Sequence, residues 1–250
     1  MSFLEVKDMR CALSQTFELN DVSFDISEKG VYLFFGKSGS GKTALCRVLA
    51  GACEIDGGKI SYKGALLYDK DKQTALIKRK IGYVPQKSFF DADMTAFEVL
   101  DLIGKVKLVD PDKRFRQIKE AFELTGLSSK YQVLVSDLTL SERKRLSIAA
   151  SLLGNPDVII MDEPLQYMDK KQAAQIKDMI RMLRSRKIIL IFTSRCADFQ
   201  DVSDDIAFLH NGSIILWKNT DELLSTLKQN DLGTVADAYD ALTQDLGEEN

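Results

Sequence analysis

The chain has 250 residues, with 34 basic against 37 acidic side chains, a net charge of −3 and a pI of about 5.4. That length can bury a sizeable core, and the near-balanced charge offers no broad basic surface, so no nucleic-acid partner is expected. The four cysteines (Cys11, Cys46, Cys53, Cys196) form no C-x-x-C pair and a single histidine leaves little scope for zinc, which predicts a reduced core in a cytosolic setting.

At the N-terminus, Glu5 and Asp8 stand where a secretory leader has a basic region and a long apolar run. No apolar stretch approaches the ~20 residues that a membrane span needs, so any spanning part is expected on another chain. Residues 4–7 and 22–26 alternate apolar and polar, which predicts an antiparallel, half-buried sheet. Residues 31–35 are apolar throughout, as in a strand buried on both faces.

Gly36-Lys37-Ser38-Gly39-Ser40-Gly41-Lys42-Thr43 follows at once, with Ala44 opening a helix-like run to Ala50. This is G-x-x-x-x-G-K-T between a buried strand and a helix. Its glycines let backbone N–H groups converge on phosphate oxygens, and the helix adds its positive end. Lys42 can reach the β- and γ-phosphates, and the Thr43 hydroxyl can ligate Mg²⁺. The pattern points to a nucleoside triphosphate.

Gly57-Gly58 turns the chain before a strand at 60–62, and Lys78-Arg79-Lys80 reads as a solvated entrance to the next strand at 81–84, which Pro85 stops. Gln86 follows, placed to reach Mg²⁺ or an attacking water. Residues 89–154 read as helical. Thr95-x-x-Glu98 and Thr139-x-x-Glu142 are capping boxes, and Asp110-Pro111 opens a helix that Gly126 closes.

The α/β pattern then returns. Residues 158–161 are a buried strand ending in Asp162 and Glu163. Asp162 is expected beside Mg²⁺, acting through its water shell, and Glu163 is placed to polarise a water for attack on the γ-phosphate. Residues 169–184 form a helix with Ile176, Met179, Ile180 and Leu183 on one face, and 188–192 is another apolar strand. Strands at 206–209 and 214–217 flank the hairpin turn Asn211-Gly212, with His210 expected as a surface turn residue. Two short helices are expected from Leu223 on.

These motifs, in this order, resemble those of the ATP-binding cassette (ABC) family over nearly the whole chain. Residues 36–43 resemble its Walker A, residues 83–86 its Q-loop, residues 158–163 its Walker B with the catalytic glutamate, and residues 165–169 its D-loop, with Asp169 matching the aspartate. Residues 138–145 stand where the signature is expected. The resemblance implies an α/β fold: a P-loop nucleotide-binding core with an N-terminal antiparallel β subdomain and an inserted α-helical subdomain. The core would comprise about 1–88 and 155–220, the helical subdomain 89–154 and a helical tail 221–250. It further implies ATP and Mg²⁺ as cofactors, and catalytic roles for Glu163, Lys42 and Gln86. ATP would be bound by Gly36 through Ala44 and, in a head-to-tail dimer, by Thr139, Ser141, Asp169 and Ser194. Thr43, Gln86 and Asp162 would hold the metal.

The sequence departs from the family in three places. Leu140 and Ser141 replace both signature glycines, and their side chains are expected to hold an opposing backbone away from the phosphate. Ser194, in Thr193-Ser194-Arg195, replaces the switch histidine, with Arg195 the one charge nearby. Leu13 and Phe17 compete for the adenine-stacking position. The expected function is the ATPase subunit of an ABC transporter, slow alone or dependent on a partner. It would lie peripherally on the cytoplasmic face of the cell membrane, drive an integral membrane permease in the export direction, and pair with a second ABC ATPase chain. Residues 234–243 resemble the tail of cassettes serving ABC-2-type exporters. An ATP-binding regulatory or assembly subunit with little turnover, or a soluble non-transport cassette, remains the alternative.

Overall fold

Alternating patterns produce the first sheet and continuous apolar runs the second. In the computed structural model, which describes residues 2–14, 17–69, 72–229 and 233–248, the elements are β1 (Leu4–Ser14), β2 (Phe17–Ile26), β3 (Gly30–Phe35), α1 (Lys42–Leu49), β4 (Gly57–Tyr62), β5 (Ala65–Leu66), α2 (Lys72–Arg79), β6 (Ile81–Val84), α3 (Ala96–Val106), α4 (Pro111–Leu124), α5 (Leu140–Leu152), β7 (Val158–Asp162), α6 (Lys170–Leu183), β8 (Ile188–Thr193), β9 (Asp205–His210), β10 (Ser213–Asn219), α7 (Thr220–Gln229) and α8 (Val235–Glu248).

The small sheet has order β2-β1-β4-β5 and is antiparallel. β1 runs further than the alternation at 4–7 predicts. Asp8 has φ 47°, and the register shifts between Val6 and Met9, so a bulge breaks the period and the strand then resumes. The large sheet has order β10-β9-β3-β8-β7-β6, and only β10 is antiparallel to its neighbour. β3, β7 and β8 are buried at every residue, as all-apolar strands with both faces covered should be.

Helix α1 lies between the sheets, where Leu45, Val48 and Leu49 join Leu4, Ile60, Phe34 and Phe192 in one core. On the opposite face of the large sheet a second core gathers Ile176 and Ile180 of α6 with Leu223 of α7 and Tyr239 of α8. Helices α3, α4 and α5 bury a third core around Phe122, Leu100 and Leu146. Lys78 and Arg79 sit in the last turn of α2, where the helix dipole favours cations, and with Lys80 lead directly into β6.

Candidate functional site

The carboxyl ends of β3, β7 and β8 converge on the start of α1. The chain enters α1 through Gly41 at φ 106°, where a Cβ would meet Phe17 at 2.9 Å and Leu19 at 3.1 Å. Gly39, at φ 84°, has open space on its Cβ side, so the loop approaches a ligand with bare backbone. α1 carries no side-chain cap and no acid in its first turn, which leaves its first N–H groups available to an anion. Lys42 is buried and donates to the carbonyls of Gly36 (2.7 Å) and Lys37 (2.9 Å). Burial lowers its pKa, and the charges of Glu163 and Asp162 oppose that shift.

Asp162 ends β7 and is 1 % exposed. The Thr43 hydroxyl donates to its Oδ2 at 2.7 Å, while its buried Oδ1 has no hydrogen-bond partner. Burial raises the pKa of this carboxyl. A buried carboxylate oxygen with nothing to accept is costly. An oxygen-ligating divalent cation fits this oxygen, the adjacent hydroxyl and the Gln86 amide.

Glu163 has φ 47°, so the chain turns sharply as it leaves β7. The Thr193 hydroxyl donates to Oε2 at 2.9 Å and the Ser194 amide to Oε1 at 2.7 Å. The Arg195 amide donates to the Thr193 hydroxyl at 3.0 Å, which fixes that hydroxyl in turn. Both carboxylate oxygens are therefore oriented by the end of β8. Of the residues that the sequence singles out, Ser38, Gly39, Gly41, Lys42, Thr43, Ala44, Gln86, Asp162, Glu163 and Ser194 line one pocket of about 350 Å³ with Phe17. Gly36 and Ser40 are buried beneath the loop, and the Lys37 side chain leaves it to pair with Asp240 at 2.5 Å. Leu13's side chain lies outside the described residues.

Thr139, Ser141 and Asp169 form a second cluster. Thr139 caps α5, accepting from the Glu142 amide (3.2 Å) and donating to its carboxylate (3.0 Å). Ser141 does not stand outward as the sequence suggests. It is 9 % exposed and donates to Gln172 Oε1 at 2.6 Å, because the second residue of α5 faces the start of α6. The same oxygen accepts from the Asp169 amide (3.2 Å), and Asp169 caps α6 by accepting from the Gln172 amide (2.8 Å). Leu140 alone is outward, 58 % exposed.

Arg195, the charge beside Ser194, pairs with Asp198 at 3.0 Å and is not among the residues lining the pocket. One further expectation is corrected. His210 is half-buried and sits 3.1 Å from the Tyr239 hydroxyl rather than at the surface, because α8 packs over the hairpin. Sequence reasoning missed Lys144, which is 3 % exposed and donates to the carbonyls of Pro85 (2.8 Å), Gln86 (3.3 Å) and Asp162 (2.8 Å). Burial pushes its pKa down to about 8. It ties α5 to both strand ends of the site. Gln172 was legible as the third position after a capping Asp169.

The family model described as ABC transporter matches residues 19–166. The chain belongs to the ABC transporter family. The uncharacterized ABC transporter ATP-binding protein YxlF of Bacillus subtilis (strain 168) is 29 % identical to it over 218 residues, 87 % of this chain and 71 % of that one. The bacitracin transport ATP-binding protein BcrA of Bacillus licheniformis is 26 % identical over 216 residues, 86 % of this chain and 69 % of that one. A solved structure described as the ATP-binding subunit of an ABC transporter superposes with a TM-score of 0.83 at 22 % identity, covering 97 % of this chain and all of the other. The dimeric post-hydrolysis state of the ATP-binding cassette MJ0796 bound to ADP and Pi gives 0.78 at 21 %, covering 87 % and 98 %. The α/β fold with a P-loop core is thus the ABC ATPase fold. Membership of this family implies ATP binding and ATP hydrolysis, and ABC ATP-binding subunits dimerise and work with membrane permeases. Among the described residues no helix is long and apolar enough to cross a membrane.

Proposed function

We propose that this ABC cassette is a Mg²⁺-dependent ATPase that powers a separate membrane permease, in the export direction, from the cytoplasmic face of the membrane. One observation carries the reading: Glu163, with both carboxylate oxygens oriented by Thr193 and Ser194, faces the same pocket as Lys42, Thr43 and Asp162. Glu163 accepts a proton from the attacking water. Backbone groups of residues 36–44 and the Lys42 ammonium bind the phosphates. Thr43, Asp162 and Gln86 would hold Mg²⁺, which supplies charge neutralisation at the phosphates. Phe17 supplies an aromatic edge for the base. Thr139, Asp169 and Ser194 serve the dimer interface with a second cassette, like or unlike, while the inward Ser141 holds Gln172 behind it. The export direction is supported by residues 234–243, which resemble ABC-2-type tails, and by the bacitracin-transport relative. The helical subdomain, about 89–154, is the lobe that turns against the core of about 1–88 and 155–220 to contact the permease.

Turnover is expected to be slow in the isolated chain. Ser194 offers no ring nitrogen to the γ-phosphate, and a missing preorganised donor commonly costs ~10²–10³ in rate. The exposed Leu140 favours a second reading, an ATP-dependent clamp with little turnover of its own. Steady-state Mg·ATP hydrolysis by the purified chain decides between them, with nucleotide binding measured in parallel. Turnover that disappears in both Lys42→Ala and Glu163→Gln supports the motor. Binding without turnover above the Glu163→Gln background supports the clamp. Absence of nucleotide binding refutes both.

A further inference from the structure

Strands β6 and β7 run side by side toward the pocket, and their ladder stops one step short of it. The last pair in register is Val84 with Met161. The next step would set Pro85 against Asp162, and Pro85 has no N–H to give. Toward β8 there is no such gap, since Asp162 still pairs with Phe192. Two of the residues that would hold Mg²⁺ stand at this gap. Gln86 follows Pro85, and Gln86 and Asp162 line the same pocket.

Lys144 fills the gap from α5. Its ammonium carries three N–H donors. They meet three carbonyls, those of Pro85 at 2.8 Å, Asp162 at 2.8 Å and Gln86 at 3.3 Å. The residue is 3 % exposed, so water does not compete for these bonds. A buried ammonium is costly unless its donors are met. Lys144 does not itself line the pocket. The rest of α5 is seated without it. A Cβ at Gly82 of β6 would meet the Ser151 carbonyl at 2.3 Å, and Leu146, Ile148 and Ala149 are fully buried. Those contacts dock the helix, and the ammonium acts where the ladder fails.

We propose that Lys144 is a positioning residue for the metal-bound nucleotide. By bridging the carbonyls of Pro85, Gln86 and Asp162 it sets the separation of the Gln86 amide from the Asp162 carboxylate, two ligands drawn from neighbouring strand ends. Thr43, the third, is fixed by α1 and by its own bond to Asp162. The proposal rests on residues 36–43 with Gln86 and Asp162 being the Mg·ATP site. Its effect falls on affinity for the cation. The phosphates are held by the loop and Lys42, which Lys144 does not contact, so metal-free ATP binding is left alone.

The test uses the full chain in a Glu163→Gln background, so that bound ATP persists. ATP is first titrated in EDTA. Mn²⁺ is then titrated into the ATP-loaded chain, with protein in excess over nucleotide, and read by electron paramagnetic resonance. Lys144→Met keeps the length of the side chain and removes all three donors. It is expected to weaken Mn²⁺ binding about tenfold, as loss of a group that orients metal ligands does, with the ATP Kd in EDTA held within about twofold. Lys144→Gln keeps one amide and is expected to lose about threefold. It carries the decision where Lys144→Met does not fold. Ile148→Val, in the same helix, lowers the Tm through the core and leaves Mn²⁺ affinity as it was. Unchanged Mn²⁺ affinity in the lysine variants overturns the proposal. So does an equal loss in Ile148→Val, or a matching loss of ATP affinity in EDTA. Equal ATP binding by Lys42→Ala and the background chain, or no uptake of Mn²⁺ beyond that of free ATP, overturns the Mg·ATP site itself, and the role of Lys144 with it.

Discussion

Helices α1 and α5 both begin where a phosphate is expected to be read, and they begin in opposite ways. α1 starts from a left-handed glycine with no side-chain cap and no acid in its first turn. Its N–H groups have no competitor for an incoming anion. α5 starts from Thr139, whose hydroxyl and amide are both engaged with Glu142 in a capping box. That box stabilises the helix by about 1 kcal/mol but places a carboxylate where a phosphate would approach. The difference separates a site completed inside one chain from a surface built first for stability. Phosphate affinity should therefore reside in the α1 end, and the α5 end should tune pairing and rate.

The largest effect that can break this contrast is at Glu163. Glu163→Gln is expected to cut turnover by ~10²–10³ and leave ATP affinity unchanged, read by hydrolysis and equilibrium binding on one preparation. Lys42→Ala comes next, with ATP affinity falling roughly 10–100-fold through loss of a charged donor, measured by titration. If either loss were matched by a change at α5, the division between the two ends would fail. Thr139→Ala should destabilise the fold by about 1 kcal/mol in urea unfolding while single-chain ATP binding stays the same.

The smallest effects sharpen the contrast within α5. Leu140→Gly removes the outward side chain and should tighten ATP-dependent pairing about threefold, on the order of 0.6 kcal/mol, as read by sedimentation. Ser141→Gly should give no such gain, because that hydroxyl is already turned to Gln172. Equal gains from both would mean that the Ser141 side chain stands in the interface after all.

The sequence makes legible whatever is local. The phosphate loop, the apolar strand ending in Asp162 and Glu163, and the boxes at Thr95 and Thr139 each lie within a few residues, where spacing determines geometry. Helix α2 escapes such reading because its eight residues carry few apolar side chains, and the period of β1 is interrupted at Asp8. The inward turn of Ser141 depends on α6, and the burial of His210 depends on α8. Lys144 looks like one more cation in Arg143-Lys144-Arg145 until the fold wraps three carbonyls around it. Contacts between distant segments carry no periodicity, so the pattern of one segment cannot announce them.

The central strand β3 has consequences for how the molecule comes into being. Its neighbours are β8 and β9, and the Val31 amide is held by Asp204, 173 positions away in the chain. At synthesis rates of about 5–20 residues per second, Val31 is made roughly 9–35 s before the residue that anchors its strand. During that interval the full G-x-x-x-x-G-K-T motif exists without the frame that makes it a site. A nascent chain arrested before β9 would thus carry the whole motif yet retain no ATP, so the motif becomes functional only once β9 has been made.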